Sequence, residues 1–141
     1  MKIKLLLTLL VIPVLSYCQF QTDILTRYNN IVDSHVEDLD GNGYLDIVAV
    51  TSDGTLSHWL NNSSGFSNEV IVDETFLSLK SIDVIDLDGD SDLDFLIGEN
   101  NSVSAYYNDG NGNYTSDYIN GNALHSNAIA GDCGGLRFFI I

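Results

Sequence analysis

Apolar residues fall into short runs along this chain, each closed by Asp, Asn, Gly or Ser, and the order of the runs repeats. Ile47-Val48-Ala49-Val50 is followed by the turn Ser52-Asp53-Gly54, then by His58-Trp59-Leu60-Asn61, a turn over 62–65 and an aromatic-led run over 66–72. Further on, Phe95-Leu96-Ile97 precedes Glu99-Asn100-Asn101, then Ala105-Tyr106-Tyr107-Asn108, a turn over 109–113 and a run over 114–119. Short continuous runs bounded by turn residues suit strands buried on both faces, and hairpin-type turns join them. With a strand around Val36 in the first copy and one over 82–85 in the second, the pattern predicts four antiparallel strands per unit. No helical period is visible after residue 18, and the only proline is Pro13.

Between the first two predicted strands of each copy, oxygen-bearing side chains stand at alternate positions. The stretches are Asp38-Leu-Asp40-Gly-Asn42-Gly-Tyr44-Leu-Asp46 and Asp86-Leu-Asp88-Gly-Asp90-Ser-Asp92-Leu-Asp94. Alternation supplies ligands at loop positions 1, 3, 5 and 9, with a main-chain carbonyl at position 7 (Tyr44 or Asp92). That is how a short backbone wraps a hard, oxygen-seeking cation such as calcium. Two like charges about 4 Å apart repel by roughly 1 kcal/mol even in water, and the second loop holds five carboxylates in nine residues. An ion coordinated by all of them turns that repulsion into folding free energy.

An Asx-rich surface turn is the plain alternative, because Asp, Asn and Gly are ordinary turn formers. Two loops in register argue against it: Asp38 to Asp86 and Asp46 to Asp94 are both 48 positions. An EF-hand needs a Glu at position 12 and flanking helices. Position 12 is Ala49 or Ile97, inside predicted strands, so that loop type is excluded.

A period of 20 to 50 residues marks a solenoid or a propeller, and four antiparallel strands per unit describe a propeller blade. The expected fold is all-β, with about two and a half blades of an incomplete propeller. Blade 1 takes 34–80 with its loop at 38–46, and blade 2 takes 81–122 with its loop at 86–94. Residues 19–33 form an N-terminal strand or linker. Residues 123–141 read as a truncated, degenerate third repeat in which Arg137 falls where Asp46 and Asp94 stand; that loop is not expected to bind calcium. Propellers typically have four to eight blades. Closure therefore needs further blades, from a longer parent protein or from other chains, unless the chain stands as an open stack.

Residues 1–18 are set apart. A short basic stretch, an apolar run over 5–15 and Ser16-Tyr17-Cys18 have the form of a secretory signal peptide, too short for a membrane span. The expected cut follows Cys18; acylation at Cys18 is the alternative, disfavoured by bulky Tyr17. The expected location is outside the cell or on its surface, with no membrane insertion of the mature chain. Arg27, Lys80 and Arg137 then face 20 acidic residues, a net charge of −17, which repels nucleic acid and anionic membranes and attracts cations. Only Cys133 remains, so no internal disulfide forms, and metal is the alternative cross-link.

The run Asp-Leu-Asp-Gly-Asn/Asp-Gly/Ser-x-Leu-Asp, the apolar strand after it and Tyr-Tyr-Asn-Asp-Gly-Asn-Gly-Asn-Tyr at 106–114 resemble the FG-GAP/VCBS repeat family over roughly 34–119. The resemblance implies calcium-bearing blades like those of integrin α-subunit propellers and many secreted bacterial proteins. It places the metal loop between the first two strands of a blade, and it implies recognition of an extracellular protein or glycan. Two structural calcium ions are expected, held by Asp38, Asp40, Asn42, Tyr44 (backbone O) and Asp46, and by Asp86, Asp88, Asp90, Asp92 (backbone O) and Asp94. One departure stands out. Ser91 occupies position 6, where the first loop has Gly43 and where a positive φ favours glycine.

Catalysis finds no footing. His35, His58 and His125 lack zinc spacing, no nucleophile elbow accompanies any Ser, and Trp59, Tyr106 and Tyr107 read as sheet packing rather than a sugar platform. Cys133 reads as an unpaired thiol. The leading expectation is a non-enzymatic, calcium-braced binding or adhesion protein. A fragment of an exported lyase- or phospholipase-like propeller and a non-functional remnant are the rivals; the first is poorly served by three cations in the mature chain.

Overall fold

A computed structural model describes residues 30–120, 129–132 and 137–140. The leader, Cys18, Arg27, His125 and Cys133 lie outside the described residues. Every regular element described is a strand: β1 (Ile31–Glu37), β2 (Asp46–Thr51), β3 (Leu56–Trp59), β4 (Asn61–Asn62), β5 (Gly65–Phe66), β6 (Val70–Asp73), β7 (Leu79–Ile85), β8 (Asp94–Glu99), β9 (Val103–Asn108), β10 (Tyr114–Asn120), β11 (Ile129–Asp132) and β12 (Arg137–Ile140). They build two antiparallel four-stranded sheets, ordered β1-β2-β3-β6 and β7-β8-β9-β10. Each is a blade-like meander, as the pattern of runs predicts.

The central strands explain the continuous apolar runs. In β2 and β8 nearly every residue is buried, because one face of each strand meets the neighbouring sheet while the other is also covered. Leu39, Val48, Val50 and Leu56 of the first blade join Leu79, Ile82, Phe95, Ile97 and Tyr106 of the second in one cluster. Fully burying each large apolar side chain contributes about 1.5–3 kcal/mol, so the blades share a core. Leu87, Leu96, Val103 and Ala105 form a separate cluster. The first strands of successive repeats lie side by side, β1 against β7 and β7 against β11, as blades converge on a hub.

Trp59 and Tyr106 are buried, packing as expected of sheet aromatics. The first blade departs from the even plan after β3. Phe66 does not start the fourth strand; it pairs with Asn61 in the β4-β5 hairpin, and the outer strand begins at Val70. Ser67 causes the break. Its N–H donates to the Leu60 carbonyl (2.7 Å) and its Oγ accepts from the Leu60 N–H (3.1 Å), so one residue occupies both ladder positions of Leu60. At the other end of β2, Gly54 (φ +100°) lies so close to the Phe76 carbonyl that a Cβ would sit 2.0 Å from it. Only glycine admits that approach.

Polar bonds also tie the blades. The Tyr106 hydroxyl donates to Asp73 Oδ2 at 2.6 Å, and the Ile82 N–H donates to Asp33 Oδ2 at 3.1 Å. Burial works to raise the Asp73 pKa, but hydrogen bonds from Tyr106 and Thr75 outweigh it and hold the carboxyl below its ordinary value. A depressed folded pKa contributes stability above the unfolded value of about 3.9 and loses it as pH falls through the folded value. Tyr106→Phe is expected to cost about 1–2 kcal/mol at neutral pH, with the deficit shrinking below pH 4 as Asp73 protonates. Urea melts of both proteins at pH 7 and pH 3 check this.

Candidate metal centre

Each acid-rich loop closes on a cross-strand pair. Glu37 faces Asp46, and Ile85 faces Asp94. The last acid of the loop is thus also the first residue of a central strand. This folds the loop back on itself and brings Asp38, Asp40 and Asp46 together, each offering a carboxylate oxygen within 4.8 Å of the others; Asp86, Asp88 and Asp94 do the same. The members differ in depth: the first is half-buried, the second exposed, the third fully buried.

The loop shape comes from carboxylates accepting main-chain N–H groups. Asp38 accepts from Asn42 and Gly43, at 3.0 and 2.8 Å. Asp86 accepts from Gly89 and Ser91, at 2.6 and 3.2 Å. Such wrapping needs positive φ at loop positions 4 and 6. Gly41 and Gly43 provide it at 71° and 88°, Gly89 at 88°, and Ser91 adopts 82°, the only non-glycine at positive φ among the described residues. The strain expected of Ser91 is therefore present, on the order of 1–2 kcal/mol for an L-residue in this region.

The middle ligands expected from sequence stand less centrally. Asn42 Oδ1 accepts from the Tyr44 N–H (2.8 Å), and Asn42 Nδ2 donates to Asp40 and to the Asn61 carbonyl. Asp90 Oδ1 accepts from the Asp92 N–H (2.9 Å) and is not a member of the carboxylate trio. The Asp92 side chain turns toward the β9–β10 turn, where its Oδ2 would lie 2.5 Å from a Cβ at Gly110.

Asp46 and Asp94 are wired alike. Asp46 Oδ2 accepts from the Leu39 N–H (2.7 Å) and Oδ1 from the Asn61 N–H (2.6 Å). Asp94 Oδ2 accepts from Leu87 (2.6 Å) and Oδ1 from Asn108 (2.8 Å). Both asparagines also aim their side-chain amide at the residue before the acid, Asn61 at the Leu45 carbonyl (3.1 Å) and Asn108 at the Leu93 carbonyl (3.4 Å). Sequence reasoning gave these asparagines no role, although each ends its run at matching places, after Trp59-Leu60 and after Tyr106-Tyr107.

Burial lifts the Asp94 carboxyl above its ordinary pKa; its two backbone donors pull it down, while Asp88 and Asp90 add to the rise. A cation at the trio opposes both burial and repulsion. The donor set fits one: all-oxygen and anionic. An ionised carboxylate has about four lone-pair sites, so Asp46 and Asp94 each retain capacity after two N–H bonds. Asp38, Asp40 and Asp46, and Asp86, Asp88 and Asp94, are the residues that would hold it. It would act as a cross-link between the first two strands of a blade.

A cleft of about 370 Å³ opens between the blades beside the first loop, lined in part by Asp38, Asp40, His58, Asp92, Asn108 and Tyr114. His58 is 4 % exposed, and its Nδ1 has no hydrogen-bond partner. Burial holds its pKa below the ordinary imidazole value, against the opposing pull of Asp46. His35 lies at 3.8 Å from both Glu37 and Asp83.

In the third repeat Asp132 pairs with Arg137. Arg137 thus takes the backbone place of Asp46 and Asp94, but only residues 133–136 separate the pair, where the other loops use 38–45 and 86–93. In sequence, Arg stands where the other repeats have Asp, and four residues rather than eight separate the pair.

Residues 38–97 match the family model described as FG-GAP-like repeat, from the first acid of the first loop to Ile97 in β8. No curated protein and no solved structure matches the chain. The matched stretch runs through the first acid loop and the second, so over residues 38–97 the chain is similar to an FG-GAP-like repeat, set in two blade-like meanders built on one plan.

Proposed function

We propose that the chain is a secreted, non-enzymatic calcium-binding repeat protein, in which two ions brace the blade loops and the blade surface binds an extracellular protein or glycan. The observation that carries the reading is the pair of carboxylate trios, built on one register in two loops of one repeat. Charge supports it, since two divalent ions bring the mature −17 to −13. The leader-like first 18 residues support export, where calcium is abundant enough for exposed loop sites of modest affinity. The calcium role is structural: it ties β1 to β2 and β7 to β8, and the ligands come from the loop itself. The FG-GAP-like match and the cleft beside the first loop are the features that support binding to a partner.

Calorimetric titration with calcium tests the metal reading. Two ions per chain are expected, and Asp40→Ala should abolish or weaken the first site while leaving the second. A chain that takes up no calcium overturns the proposal.

A further inference from the structure

We infer that Asn61 and Asn108 are positioning residues for the two metal loops, each setting the geometry of its own site from outside the loop. The inference rests on the calcium reading above and extends it to residues that are not ligands. Each asparagine grips its loop at two adjacent points. The main-chain N–H holds one oxygen of the buried acid, and the side-chain amide holds the carbonyl of the preceding leucine. The peptide between that leucine and the acid is therefore fixed at both ends. Positions 7 to 9 of the loop, which carry the expected carbonyl ligand and the last carboxylate, follow from it.

The arrangement occurs twice, which a chance contact does not explain. Asn61 stands 15 residues after Asp46 and Asn108 stands 14 after Asp94. The one-residue difference in spacing is absorbed between the central strands, and the four hydrogen bonds are conserved in kind. In the first loop the grip is extended, because the Asn61 carbonyl accepts from Asn42 Nδ2 at 2.8 Å. Asn108 is the more buried of the two, at 7 % exposure, and its Oδ1 caps the Gly110 N–H at 3.2 Å. A carboxylate ligand held this way keeps its remaining lone pairs aimed at one point, and outer partners of this kind typically change metal affinity 10–100-fold.

The test is calorimetric calcium titration of the full chain, its Asn61→Ala and Asn108→Ala variants, and Asn108→Asp. Each alanine variant should weaken its own site about tenfold and leave the other within about twofold. The untouched site doubles as proof that the chain is folded. Asn108→Asp adds a negative charge but removes the amide donor, so weakening of the second site supports the positioning role and tightening overturns it. Wild-type affinity at both sites in the alanine variants overturns the inference while the calcium reading stands. Equal weakening of both sites also overturns it, because the lesion is then global. A wild-type chain that binds no calcium sinks both.

Discussion

Asp46→Ala is expected to destabilise the metal-free chain by about 2–5 kcal/mol, whereas Asp40→Ala, six residues earlier in the same loop, should cost less than about 1 kcal/mol. The two carboxylates belong to one trio, so a purely metal-binding view predicts equal effects. The hydrogen bonds separate them. Asp46 is fully buried and satisfies the N–H groups of Leu39 and Asn61. Alanine leaves both donors without an acceptor, and each buried orphan costs about 1–3 kcal/mol. Part of that is returned because a buried charge also disappears. Asp40 is exposed and bonds only Asn42, within the loop, where water replaces what is lost. Asp94 and Asp88 repeat the contrast. Urea midpoints in EDTA measure it directly, and equal midpoints for Asp46→Ala and Asp40→Ala would refute the strut role of the ninth loop position.

That contrast marks the boundary of what the sequence reveals. Alternating acids identify the loop, and the twin 48-residue spacings locate it between the first two strands. The same spacing exposes Ser91 as the residue forced to positive φ. These features depend on near neighbours, where chain geometry is fixed by a few residues. Alternation does not distinguish a ligand from a strut, because what sets Asp46 apart from Asp40 is its burial and its bonds to Leu39 and to Asn61, the latter 15 residues onward. The Tyr106–Asp73 bond, the Asp33–Ile82 bond and the Ser67 interruption of the outer strand depend on one element meeting another. Period and composition carry no record of such pairs. His58 shows the same limit. It sits in a strand facing the neighbouring blade, and only the packed structure reveals that Nδ1 lacks a partner.

Calcium is expected to raise the melting temperature by more than about 10 °C, with EDTA reversing the shift. A ligand bound only by the folded state adds about 2.7 kcal/mol per site at a hundredfold excess over Kd. In a unit of about 90 described residues, each kcal/mol moves the midpoint by about 4–8 °C. Magnesium should shift it less, since it demands a tighter octahedral shell and sheds water reluctantly. The gain should shrink in acid, because ligand carboxylates must be ionised to bind. Asp40→Ala and Asp88→Ala should each remove about half of the shift, and the double variant nearly all of it. A melt indifferent to calcium and EDTA would mean that the trios are surface turns. The form of the transition is informative too. Val48 and Leu56 of one blade share a cluster with Phe95 and Tyr106 of the other, so either ion should stabilise both blades in a single transition. Two separate transitions, each answering to its own loop, would show that the shared core is too weak to couple the repeats.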